Sequence, residues 1–171
     1  MPRHFFAIWP DATAAQALEA LGRELAERCG GKPVAIAKIH LTLAFLGEIA
    51  TERVDAAAAA GARMRTAPFD LAFDTVGWFR AARVAWAGSS RPTPRLLEFQ
   101  DRLDESLRAL GFALDSRPYT PHLTLARRAN RPVAPAPIVP IEWRASELRL
   151  MRSETGTGRY ATVASWGFDS G

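Results

Sequence analysis

The chain has 171 residues, of which 48% are apolar and 23% charged, and it carries a net charge of +4. This is the balance of an ordinary globular protein, long enough for one domain, 1–171, to bury a real core. Its single cysteine, Cys29, excludes an internal disulfide and fits a reducing cytosol.

No uncharged stretch approaches a membrane span, and the apolar run near the N-terminus is too short for a signal peptide. The expectation is a soluble cytoplasmic protein, monomeric and without a membrane partner. All but two of the 22 cationic residues are arginine, the exceptions being Lys32 and Lys38. A GC-rich genome would give that bias, and so would an affinity for phosphate, which the arginine fork favours. Charge alone does not choose between them.

Aromatic and branched residues over 4–9 predict a strand. Asp11 then caps a helix in which Ala14, Leu18, Leu21 and Leu25 recur at helical spacing, and Gly30-Gly31 stop it. A strand carrying His40-Leu41-Thr42-Leu43 follows and turns at Gly47. Thr51 caps a second helix running to about residue 65. Residues 69–76 and 83–88 read as two strands. Thr93 and Pro94 open the clearest helix, with Leu96, Leu97, Leu103, Leu107 and Leu110 on one face and Gly111 after it. A second strand repeats the word as His122-Leu123-Thr124-Leu125. The proline-rich stretch 131–140 reads as loop, because proline cannot donate to a sheet ladder. Two strands, SELRLMRS and RYATVASWGF, close the chain. Adjacent strands mixed with intervening helices indicate an α+β fold.

The repeated word uses two of only three histidines. On a strand, side chains alternate, so each word sets an imidazole and a hydroxyl on one face. Leu41, Leu43 and Phe45 then share the opposite, apolar face, as do Leu123 and Leu125. Two imidazoles and two hydroxyls suit acid–base chemistry on a phosphate. One histidine takes a proton from the nucleophile, the other gives one to the leaving oxygen, and the threonines donate to non-bridging oxygens. No step calls for a metal or cofactor. Other chemistries fit less well. A zinc site needs more ligands than the spacing offers, a serine triad leaves one histidine unexplained, and no glycine-rich phosphate loop is present. His4, the third histidine, reads as a strand-edge residue.

The paired words, with RHFFAI, HLTLAFLGE, RVAWAG, LGF before RPYTPHLTLAR, and a late G-x-x-R-Y, resemble the 2H phosphoesterase superfamily. Within it, the chain is similar to the RNA 2′,3′-cyclic phosphodiesterase branch, also known as 2′-5′ RNA ligase-like. The one departure is IWP after FFA, where an acidic residue is common. The resemblance implies two pseudo-symmetric lobes, each a small, mostly antiparallel sheet with outer helices, and a cleft between the sheets. It implies hydrolysis of a terminal 2′,3′-cyclic phosphate, on RNA 3′ ends or nucleotides, to a 2′-phosphomonoester without metal. It makes His40 and His122 the acid–base pair, Thr42, Thr124 and Arg127 phosphate ligands, and Phe5 a ring on the cleft face for stacking on a base. It further makes His122 the base and His40 the acid, although two identical words cannot decide this.

Strict alternation would put Arg127 on the leucine face, so it reaches the cleft only if the strand ends, bulges or twists near Ala126. Two alternatives stay open. One is action on 2′-5′ linked oligonucleotides or a small cyclic phosphate; the other is a non-catalytic module that grips RNA ends.

Overall fold

The structure, a computed structural model, describes residues 1–169. It contains nine strands and three α-helices in the order β1 (Arg3–Ile8), α1 (Ala12–Cys29), β2 (Lys32–Pro33), β3 (Leu41–Glu48), α2 (Thr51–Ala62), β4 (Phe69–Phe79), β5 (Val84–Gly88), α3 (Pro94–Ala109), β6 (His122–Arg127), β7 (Ala136–Ala145), β8 (Glu147–Ser153) and β9 (Tyr160–Gly167). The strands form two antiparallel sheets, ordered β3-β1-β8-β9 and β2-β6-β5-β4-β7. The α+β architecture with a two-sheet cleft follows the expectation. The two sheets are not the two halves of the chain, however. The first is made from both ends of the sequence and the second from its middle.

Helix α1 packs on β6, β5 and β7 of the second sheet, although it leaves β1 of the first. Helices α2 and α3 contact each other and pack on β8, β9 and β3 of the first sheet. Asp11 caps α1 by accepting from the Ala14 amide at 2.8 Å, and Gly30 ends it at φ 66, where a side chain would be strained. Gly22, on the buried face of α1, sits so close to β6 that a Cβ there would stand 2.9 Å from the Leu125 carbonyl. The missing side chain lets α1 lie directly on the strand bearing the second word.

Three expectations need correction. Of the stretch 131–140 read as loop, residues 136–140 belong to β7; β7 is an edge strand whose ladder with β4 is interrupted between Phe73 and Thr75, where prolines are tolerated. His4 is not at an edge: β1 lies between β3 and β8, and His4 is 3% exposed with an unpartnered Nδ1. Burial holds its pKa below the usual histidine value, with a smaller contribution from Arg152. Thr51 is the first residue of α2 rather than its cap; Ala50 holds that position without a side-chain bond.

Candidate active site

Both words carry the same local irregularity. On β3, Phe6 pairs with Ala44 and Ala7 with Thr42, so Leu43 is an extra residue. On β6, Ala85 pairs with Ala126 and Trp86 with Thr124, so Leu125 is the extra residue. A bulge immediately after each threonine lets two successive residues, Leu43-Ala44 and Leu125-Ala126, turn inward together. The next residue in each strand then returns to the cleft face. In β6 that residue is Arg127, which resolves the alternation problem. In β3 it is Phe45, paired with Phe5 and 55% exposed, where strict alternation had placed it in the core.

His40, Thr42, His122, Thr124 and Arg127 line one pocket between the sheets, together with Lys38. The two imidazoles are held alike. His40 Nδ1 donates to the Lys38 carbonyl at 2.7 Å, and His122 Nδ1 donates to the Thr120 carbonyl at 2.8 Å. A carbonyl accepts only, so Nδ1 bears the hydrogen and Nε2 of each neutral ring keeps its lone pair for the pocket. Each group can therefore accept a proton when neutral or release one when charged.

Their surroundings differ. His40 lies against Phe5 (centroids 5.0 Å apart) and Trp9 (4.8 Å), with Tyr160 edge-on at 5.7 Å. His122 meets only the edge of Phe79, at 5.1 Å. Burial pushes the His40 pKa down to about 4; Arg127 and His122 add to this, and the bond to Lys38 partly opposes it. At neutral pH, resting His40 is an uncharged imidazole.

Since its folded pKa lies below the unfolded value near 6.5, the unfolded chain binds the extra proton between these pH values. His40 therefore costs no stability above about pH 6.5 and weakens the fold by up to about 3 kcal/mol as pH falls toward 4. Denaturant titrations from pH 7 to 4 check this: His40→Gln flattens the slope relative to wild type, and an equal slope in both proteins rules the effect out.

Phe5 lies on the cleft face, but at 4% exposure its ring is covered by His40, Trp9 and Tyr160. Little of the ring is open to a base. Its contact is with the imidazole, and the most exposed ring on this sheet is Phe45.

Two further residues escaped the sequence reading. Lys38, on the turn before the first word, lines the pocket while its ammonium donates to the Gly158 carbonyl at 2.5 Å. Tyr119, three residues before His122, donates its hydroxyl across the cleft to the Thr42 carbonyl at 2.9 Å. That bond ties one word to the other, and burial raises the Tyr119 pKa so that the phenol stays protonated as a donor. Tyr119→Phe removes about 1 kcal/mol of stability. If the bond sets the spacing of the imidazoles, kcat falls about three- to tenfold while KM hardly moves; an unchanged kcat would make the tether purely structural.

A family model described as the 2′-5′ RNA ligase superfamily matches residues 7–157. The chain belongs to that superfamily. Among curated members, it is 34% identical over 139 residues to an RNA 2′,3′-cyclic phosphodiesterase of Escherichia coli (strain K12), covering 80% of this chain and 79% of the relative. It is 35% identical over 170 residues to a protein of the same name from Thermus thermophilus, covering 89% and 82%. The crystal structure of E. coli LigT complexed with 3′-AMP superposes with a TM-score of 0.88 at 30% identity, covering 99% of this chain and all of that one. In this member of the superfamily, no helix among the described residues is long and apolar enough to cross a membrane. Nor do three or more metal-ligating side chains gather among the described residues.

Proposed function

We propose that the protein is an RNA 2′,3′-cyclic phosphodiesterase, a single bilobal domain acting as a monomer in the cytosol. The observation that carries the reading is the convergence of both His-x-Thr words and Arg127 on one pocket, with both Nδ1 atoms fixed by backbone carbonyls. The curated relatives that share the fold and the name support it. That a single chain supplies every one of these groups supports a monomer. The lone buried cysteine suits a reducing compartment.

The terminal cyclic phosphate sits between the words, where the Thr42 and Thr124 hydroxyls and the Arg127 guanidinium bind its non-bridging oxygens. One imidazole takes a proton from water as the water oxygen bonds to phosphorus. The other gives a proton to the 3′ oxygen as the phosphorus–O3′ bond breaks. The products are a 2′-phosphomonoester and a free 3′-hydroxyl. Phe45, exposed on the same face of the sheet as Phe5, offers a ring to a base.

The phosphate also resolves how a histidine with so low a resting pKa can act as the acid. Burial is the main cause of the low value, with smaller contributions from Arg127 and His122. The negative charge of the phosphate diester against the ring opposes all three by pairing with the imidazolium. The test is incubation of a short RNA ending in a 2′,3′-cyclic phosphate with the protein and excess EDTA, products read by ³¹P NMR. The expected product is the 2′-monoester, at a rate unaffected by chelation. No turnover, or turnover only on adding a divalent ion, overturns the reading.

A further inference from the structure

Beside the pocket, β5 begins and β6 ends in a corner whose backbone is strained in an unusual way. Among the described residues, only two other than glycine have positive φ, Arg83 at 54 and Arg128 at 57, and both are arginines. They are neighbours in space. The Ala129 amide donates to the Arg83 carbonyl at 3.0 Å, and Val84 pairs with Arg127. The left-handed conformation costs an L-residue about 1–2 kcal/mol, which glycine avoids and asparagine largely avoids. The Arg83 guanidinium has a structural use, since its Nε donates to the Ala129 carbonyl at 3.3 Å. Strain kept at Arg128 beside it, with a long cationic side chain, points to a use for the second guanidinium.

A third cation joins them. Lys32 of β2 lies directly opposite Arg127 in the antiparallel ladder, so both side chains stand on the same, cleft-facing side. Lys32, Arg83, Arg127 and Arg128 are all exposed, and among the described residues none has a carboxylate within 4.0 Å. Some surface arginines are neutralised, as in Arg23–Glu19, Arg28–Glu24 and Arg144–Asp70. Others, such as Arg3, Arg63 and Arg95, are not, so what sets the corner apart is its place beside Arg127. The His40 side of the pocket is different: the rings of Phe5, Trp9 and Tyr160 pack around that imidazole, and the Lys38 ammonium is already bonded to the Gly158 carbonyl.

We infer that the corner of Lys32 and Arg128, continuing from Arg127, holds the phosphodiester backbone of the RNA immediately 5′ of the terminal nucleotide. The inference rests on the cyclic phosphodiesterase reading and adds to it a preference for chains over single nucleotides. Exposed guanidinium and ammonium groups bind phosphate without reading sequence, so the preference is for length and depends on salt.

The test compares a decamer RNA and a nucleoside monophosphate, each ending in a 2′,3′-cyclic phosphate, at several salt concentrations. Arg128→Gly, Arg128→Asn and Lys32→Gln are each set against wild type. Each variant lowers kcat/KM on the decamer about three- to tenfold and leaves the nucleoside cyclic phosphate within twofold. Each also makes the logarithmic salt slope shallower by about 0.7, the contribution of one phosphate contact on a single strand. The melting temperature of Arg128→Gly is unchanged or higher, since strain is released, which a merely structural arginine would not allow. Parallel loss on both substrates, or no loss on the decamer and an unchanged slope, overturns the inference. If wild type hydrolyses neither substrate, the functional reading fails separately. Fluorescence anisotropy of a labelled decamer with a 3′-hydroxyl end then judges the corner, with weaker binding by the variants supporting it and equal binding refuting it.

Discussion

Replacing either His40 or His122 by alanine lowers kcat on an RNA 2′,3′-cyclic phosphate by roughly 10²–10⁴-fold, about 3–5 kcal/mol of barrier. The double variant loses far less than the product of the two, because a proton taken on one side of the phosphorus is useful only if one is given on the other. The structure indicates a control. The His40 ring is packed against Phe5 and Trp9, so its removal leaves a gap that the less enclosed His122 does not. His40→Gln keeps part of that packing and should be as inactive as His40→Ala. Full multiplicativity, or near-normal activity in either single variant, would refute a shared role.

The second large effect divides the labour. A ribose alkoxide leaves poorly and needs a proton, whereas a nitrophenolate leaves without one. With His40 as acid, His40→Ala is severely impaired on the cyclic phosphate but recovers at least tenfold in relative rate on a nitrophenyl phosphodiester. His122→Ala stays impaired on both, since water must still be deprotonated. Rate ratios at one pH, with Thr42 and Thr124 intact, decide the matter. The resting pKa of His40, about 4, sharpens the experiment, because a group so reluctant to hold a proton serves as acid only once the phosphate is bound. Recovery confined to His122→Ala means that His40 is the base instead.

The sequence exposes the pair of words because their chemistry lies in scarce residues placed two apart, a spacing that any strand converts into a shared face. It exposes α1 and α3 because their leucine spacing and caps are local. What it hides depends on partners distant in the chain. Arg127 and Phe45 change face through bulges whose cause is the register with β5 and β1. Phe5 has the expected face, but the rings that cover it, His40, Trp9 and Tyr160, reach it only after folding. The strand nature of 136–140 is invisible because proline argues against a ladder until β7 is known to be an edge. Tyr119 gives no signal, since its partner is a carbonyl 77 residues away.

The sheet that carries His40 is built from the first and last strands of the chain, with β1 bonded on one side to β3 and on the other to β8. Its interior strand therefore has no second neighbour until residues 147–153 have been synthesised, and the site cannot be complete on a chain still emerging from the ribosome. Pairings this distant close late and slowly, so most of the folding barrier should lie in bringing the two ends together. Removing β8 and β9 would leave β1 with an open edge next to the first word, so a truncated chain would be prone to association as well as inactive.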